Sequence, residues 1–288
     1  MRALVTGAGG ALGKALAAQA PERVECLALS RQELDVADEK AVARIVHERK
    51  ISCVVNAAAY TDVDGAEERP GEAFRSNALG AEVLAKVCAS QGALFVHVST
   101  DYVFDGARGG PYPEEAAVNP LSVYAQSKLE GEERVRRAAA KNHLIVRTSW
   151  LYGDGGNSFP HKVLSWAKSK EAVELVEDQF GSPTYAAPLA RTLWELALRG
   201  QRGLLHFAGE GRASRFEFGS FLIAAAKKRG IPLAVKEVKP VPSSRFPLKA
   251  PRPSDSSLCC RKLAQLHPDL APAGWKEMAD EFVGKLAS

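Results

Sequence analysis

The feature that most constrains this chain is a glycine turn placed between a short apolar run and a helical stretch. Arg2–Thr6 reads as a buried strand, and Thr6-Gly-Ala-Gly-Gly-Ala-Leu-Gly13 follows it directly. In a chain with 24 glycines such spacing is weak by itself. Its position, after a first strand and at the opening of a first helix, is the context a dinucleotide-binding turn requires. Gly7 would allow the tight turn, Gly10 would let backbone approach a pyrophosphate, and Gly13 would let the helix pack on the strand. The helix N-terminus would offer free N–H groups and a positive dipole end to phosphates.

The rhythm that follows agrees with this. Strands are predicted at Val24–Leu29, Ser52–Val55, Leu94–Ser99 and His143–Val146. Helices are predicted at Leu12–Ala20, Glu39–Arg49 (capped by Asp38), Ala73–Ser90 and Val123–Ala140. The strands are continuous apolar runs, as in a parallel sheet covered by helices on both faces. The expected fold class is α/β, a doubly wound parallel sheet with a second, smaller lobe. Residues 1–150 would form the dinucleotide-binding part, with segments near 173–203 and 235–245 returning to it. Residues 151–288 would form mainly the substrate lobe, with helices at Ala186–Leu198 and Phe216–Lys228. The Pro-rich stretch Lys239–Pro253 reads as a structured connection.

Composition excludes several classes. A formal charge of +4, with basic residues scattered, gives no stripe suited to nucleic acid or a membrane surface. No apolar run approaches the ~20 residues needed to span a bilayer, and the N-terminus lacks a signal-peptide pattern. Five cysteines without CxxC spacing point to reduced thiols and a cytoplasmic protein. Six histidines without ligand spacing predict no metal site.

The second strand ends at Leu29-Ser30-Arg31, without the acidic residue that commonly binds the ribose hydroxyls of NAD. Ser30 and Arg31 would suit a 2′-phosphate, which favours NADPH and leaves NADH open. A solvated loop charge at Arg31 is the competing reading. Asp35 and Val36 stand where a loop would close over the adenine.

The chemistry centres on Tyr124-Ala-Gln-Ser-Lys128, where a spacing of four puts both side chains on one helix face. A phenol with an ordinary pKa near ~10 is a poor acid at neutral pH, and a nearby ammonium lowers it. None of the other five tyrosines has lysine at this spacing. Ser99 and Thr100 end the fourth predicted strand, where parallel sheets bind ligands, so Thr100 would orient a substrate carbonyl. Asn77, a poor helix former inside Ala73–Ser90, is either a bond to backbone near the site or a surface residue.

These residues resemble the extended short-chain dehydrogenase/reductase superfamily, and within it the dTDP-4-dehydrorhamnose reductase family, over nearly the whole chain. The resemblance is carried by Val54–Thr61, Asp62–Glu67, Ser99–Gly106, Tyr124–Gly131, Arg147–Trp150, Asp178–Thr184 and Arg252–Leu258. It implies reduction of the C4 ketone of dTDP-4-dehydro-L-rhamnose by NAD(P)H, the last step of dTDP-rhamnose synthesis. It implies Thr100, Tyr124 and Lys128 as the catalytic set. Gly10, Ala11, Leu12, Gly13, Asp35, Val36, Ala57, Ala58, Ala59, Tyr60 and Thr61 would line the cofactor. Thr100, Asp101, Tyr124 and Trp150 would face the sugar, and Gln179, Pro183 and Arg252 would shape the nucleotide pocket. For Trp150, core packing is the alternative. Some members bind a metal through C-terminal glutamates; Glu277 and Glu281 stand there, but the segment is short and no metal is carried over. A homodimer stays open. The superfamily also holds an NADP-binding regulatory subunit, methionine adenosyltransferase β, and nucleotide-sugar epimerases. The intact catalytic set argues against the first, and the second-lobe segments against the second.

Overall fold

The computed structural model describes residues 1–155 and 157–287. Six parallel strands form one sheet in the order β10-β5-β4-β3-β1-β2. They are β1 (Arg2–Thr6), β2 (Glu25–Leu29), β3 (Cys53–Asn56), β4 (Leu94–Thr100), β5 (His143–Thr148) and β10 (Gly203–His206). Adjacent residues of a strand enter opposite cores. Ala3 and Val5 of β1 join one apolar cluster and Leu4 the other, and Leu144, Ile145 and Val146 of β5 divide the same way. Both faces being buried is why these strands read as unbroken apolar runs. Each such Val or Leu contributes about 1.5–3 kcal/mol by leaving water.

Helices α1 (Ala11–Ala18) and α8 (Ala186–Leu198) cover one face, and α11 (Trp275–Ala287) extends the same apolar cluster. The other is covered by α2 (Glu39–Glu48), α5 (Gly80–Gln91) and α6 (Val123–Ala138). The chain runs from β1 outward to β2, then back across to β3, which also pairs with β1. That reversal opens a crevice at the carboxyl ends of β1 and β3.

One expectation is corrected in part. Of the expected returning segments, the second half of 173–203 does return, as α8 leading into β10 at 203–206, and 235–245 does not: Trp194 of α8 is fully buried, its indole N–H bonding the Leu16 carbonyl at 2.9 Å, and β10 extends the sheet beside β5. Strands β7 (Ala172–Val176) and β12 (Glu237–Val241) instead pair with each other off the main sheet. They pack with α7 (Phe159–Ser169) and α9 (Arg215–Lys228) around Val163, Val173, Leu175 and Ile223. As an edge strand β12 tolerates Pro240.

The helix expected at 73–90 is helical throughout but changes pitch within its length. After α3 (Val63–Glu68) come α4 (Pro70–Phe74), a π-helical turn at Arg75–Leu79, and then α5. Short pairs join β6 (Leu151–Tyr152) to β9 (Thr184–Tyr185) and β8 (Phe180–Gly181) to β11 (Ala213–Ser214). After the Pro-rich stretch the chain bridges back, Asp255 to Phe180 and Leu258 to Tyr112, before α10 (Arg261–Leu266). Among the described residues no helix is long and apolar enough to cross a membrane.

Candidate active site

The glycine turn is shaped by three different demands. Gly7 has φ +74°, and a Cβ there would stand 2.6 Å from the Ala58 nitrogen. A Cβ on Gly13 would stand 2.2 Å from the Gly7 carbonyl, so only glycine lets α1 seat on the turn. Gly10 is different: a Cβ would meet nothing closer than 3.4 Å. The protein leaves that space free, and it opens into a cavity of about 760 Å³. No side chain caps α1, whose first N–H groups therefore face the same space. This cradle fits a dinucleotide pyrophosphate.

From there the cavity runs past Ser30, Arg31, Asp35 and Val36 on one side and past Ala57, Ala58, Ala59 and Thr61 on the other. It ends against Thr100, Asp101, Tyr124, Lys128 and Trp150. Gly13, Tyr60 and Asn77 do not line it and act from behind. The buried Asn77 amide accepts the Tyr60 N–H at 2.8 Å, and donates to the Tyr60 carbonyl at 3.1 Å and to Ser127 Oγ at 2.9 Å. The π-turn carries this side chain to the strand-end loop, and Gly131 of α6 admits the Asn77 carbonyl where a Cβ would lie at 2.2 Å.

At the adenosine end the sequence reading missed an acid. Glu33 folds back so that one carboxylate oxygen accepts both the Ser30 N–H (2.8 Å) and the Ser30 hydroxyl (2.7 Å). Those bonds hold its carboxyl below the ordinary value. Arg31 is exposed and has no carboxylate within 4.0 Å among the described residues. Asp35 is engaged by Arg75, which also lines the cavity.

At the reacting end, Tyr124 and Lys128 lie one turn apart on α6, whose N-terminus Ser122 caps. Lys128 is 2% exposed, and its ammonium donates to the Val98 carbonyl at 2.7 Å. Burial pulls it down to about 8, against the opposing charge of Glu132. Tyr124 differs from expectation. Its phenol is pushed well up, by burial first, with the neighbouring Thr100 hydroxyl opposing. Desolvation of the phenolate dominates, and the Lys128 ammonium is directed at the Val98 carbonyl rather than at the phenol.

Thr100 also differs. Its hydroxyl donates to Asp101 Oδ1 at 3.0 Å and accepts the Tyr102 N–H at 3.2 Å. The one proton expected to orient a carbonyl is therefore directed at Asp101. Asp101 is 2% exposed and also accepts from Ser149 and Ser256, so its oxygens hold the site together. Burial raises it to about 6 despite those bonds. Behind them, Ser99 donates to Glu132 at 2.6 Å, and Glu132 is doubly bonded by Arg147 at 2.8 Å.

Trp150 lines the cavity and also packs against the core, so both readings of it hold in part. It has φ +44°, a conformation costing a non-glycine residue about 1–3 kcal/mol. Gly181 abuts its indole, and the Arg215 guanidinium lies 3.5 Å from the ring centre. Gln179, Pro183 and Arg252 are not brought to the cavity wall. Pro183 is buried against Gly209, and Gln179 accepts the Arg215 N–H through its backbone. Arg252 is paired with Asp64 at 2.8 Å and donates to the Ala250 carbonyl. Sequence reasoning missed Arg215 and Tyr102, which line this end. No spacing signal marks Arg215, because its place depends on β8–β11 pairing. Among the described residues no group of three or more His, Cys, Asp or Glu is placed to hold a metal ion.

The model of the RmlD substrate binding domain matches residues 1–288. A dTDP-4-dehydrorhamnose reductase of Mycobacterium tuberculosis is 44% identical over 270 residues, covering 91% of this chain and 86% of its own. One from Sinorhizobium fredii is 38% identical, covering 99% and 98%. Among solved structures, a dTDP-4-dehydrorhamnose reductase of Clostridium acetobutylicum superposes with TM-score 0.93 at 36% identity, covering all of both chains. One from Bacillus anthracis, in complex with NADP, gives TM-score 0.93 at 34% identity over 99% of each chain.

Proposed function

The chain belongs to the dTDP-4-dehydrorhamnose reductase family, and from that membership we propose how its own residues reduce the C4 ketone of dTDP-4-dehydro-L-rhamnose to dTDP-L-rhamnose. It is an NADP-dependent oxidoreductase. The observation that carries the residue assignment is that the glycine cradle and Tyr124, Lys128 and Thr100 open into one cavity. Bound NADPH supplies the hydride. Tyr124 gives its proton to the carbonyl oxygen as it becomes an alkoxide. Lys128 supplies a buried positive charge one helical turn from Tyr124 and would hold the nicotinamide ribose, and Thr100 would position the phenol hydroxyl. Trp150 forms a wall for the sugar. The five free thiols support a cytoplasmic setting.

The direct test is incubation with dTDP-4-dehydro-L-rhamnose and NADPH, following absorbance of the reduced cofactor. Oxidation that depends on the sugar is expected. No oxidation at high enzyme concentration would remove the reading.

Cofactor choice rests on Arg31, opposed by Glu33. Arg31→Ala is expected to lower kcat/KM for NADPH about tenfold and to leave that for NADH within about twofold. If the wild type uses NADH as well as NADPH, Arg31 is a solvated charge.

The pH profile follows from two buried groups. As pH rises through about 6, Asp101 loses its proton and its carboxylate accepts the Thr100 hydrogen bond, which fixes that side chain, so kcat/KM should rise. Through about 8 Lys128 loses its charge, so kcat/KM should fall. Tyr124, held up by burial, stays protonated across that window. Asp101→Asn should abolish the acid limb, and a flat wild-type profile from about pH 5 to about pH 9 would contradict both assignments.

A further inference from the structure

Arg215 is a cation without a counter-ion. Its neighbours in the same region are paired: Arg212 with Asp255 at 3.3 Å and Arg252 with Asp64 at 2.8 Å. Among the described residues no carboxylate lies within 4.0 Å of Arg215. Aromatic rings surround it, with Trp150 at 3.5 Å and Phe159 at 5.0 Å, and the Tyr102 hydroxyl bonds it. Asp101 attracts it, but that carboxylate is already taken up by three hydroxyls.

Its position is rigid. Arg215 opens α9, and a reciprocal Ser214–Glu217 capping box fixes that helix start. The preceding strand β11 is paired to β8, whose Gly181 abuts Trp150. A guanidinium lying over an indole and bonded once by Tyr102 keeps further N–H groups for a ligand, and its fork matches a phosphate with two parallel bonds. The place along the cavity is also right. The Tyr102 ring meets the Tyr124 ring edge-on at 6.2 Å, and Arg215 neighbours Tyr102. Arg215 and Tyr124 line one cavity, so a single nucleoside-diphosphate sugar can present its C4 carbonyl to Tyr124 and its diphosphate to Arg215.

We propose that Arg215, held between Trp150 and Tyr102, binds the diphosphate of the nucleotide-sugar, in place of the paired Arg252. The proposal rests on the reductase reading for the identity of its ligand. Trp150 then has two roles, wall for the sugar and platform for the cation.

The test measures binding of dTDP and of thymidine to the NADPH-loaded enzyme by calorimetry. Wild type, Arg215→Lys and Arg215→Ala are compared, with NADPH affinity as the check on folding. Arg215→Ala is expected to weaken dTDP about 10- to 100-fold, and Arg215→Lys less, because the charge remains without the fork. Thymidine, which carries no phosphate, should bind all three alike. If Arg215→Ala fails to bind NADPH, the Arg215→Lys comparison decides. Equal dTDP affinity in the folded proteins would overturn the proposal. Equal losses for dTDP and thymidine would overturn it too, since Arg215 would then serve only to hold Trp150. Wild-type failure to oxidise NADPH with the keto-sugar would sink the reductase reading instead, and the dTDP comparison would still stand on its own.

Discussion

Tyr124→Phe is expected to lower kcat by about 10²–10⁴-fold while NADPH affinity stays within about twofold, because only the proton donor is removed. The ring should remain in place. It packs edge-on against Tyr102, and Ser122 caps the helix that carries it. The phenol is protonated well above neutral pH, so in wild type the proton is available whenever substrate is bound. Single-turnover oxidation of NADPH with saturating keto-sugar separates this step from binding. If the variant kept more than about a tenth of wild-type turnover, less than ~1.4 kcal/mol of the barrier would depend on that hydroxyl. Tyr124 would then not be the acid.

The second large effect is on stability. Glu132 is fully buried on α6, one turn beyond Lys128, and Arg147 of β5 is 2% exposed. Two parallel bonds at 2.8 Å join them, with Ser99 and Arg136 completing the carboxylate. These partners hold Glu132 below the ordinary carboxylate value against a large burial penalty. Glu132→Gln keeps the shape and leaves Arg147 buried without a counter-charge. A loss of about 3–5 kcal/mol is expected in urea unfolding at neutral pH, a large share of an ordinary domain's stability. Glu132→Leu with Arg147→Met removes both charges and should recover much of the loss. A single-variant loss under about 1 kcal/mol would mean that water reaches this pair and screens it. The same carboxylate helps keep Lys128 charged, so the folded Glu132→Gln protein should lose activity at lower pH than wild type.

Much of the site was readable because its logic is local. The glycine turn is a contiguous string with a steric demand at each position, and Tyr124 and Lys128 share a helix face by spacing alone. Asn77 stands out as a poor helix former, but its partners, both backbone groups of Tyr60, meet it only in the folded chain. Glu33 was passed over because the strand end was read at 29–31, and its side chain returns to Ser30 from three residues on. Thr100 is legible from its place at a strand end, and Asp101 only through the family resemblance. Their hydrogen bonding is legible from neither, because Ser149 and Ser256 arrive from segments far along the chain.

The sequence by itself determined the α/β class, the first five strands of the sheet and the nucleotide cradle. Periodicity and steric exclusion act between residues a few positions apart, and a linear reading captures them. Only the tertiary structure decided which later segment rejoins the sheet, where Arg215 and Arg252 point, and whether a buried phenol rises or falls in pKa. Those outcomes depend on pairing of distant strands, on which carboxylate reaches which arginine first, and on how much water is excluded. Each is set by atoms that meet only when the chain has closed.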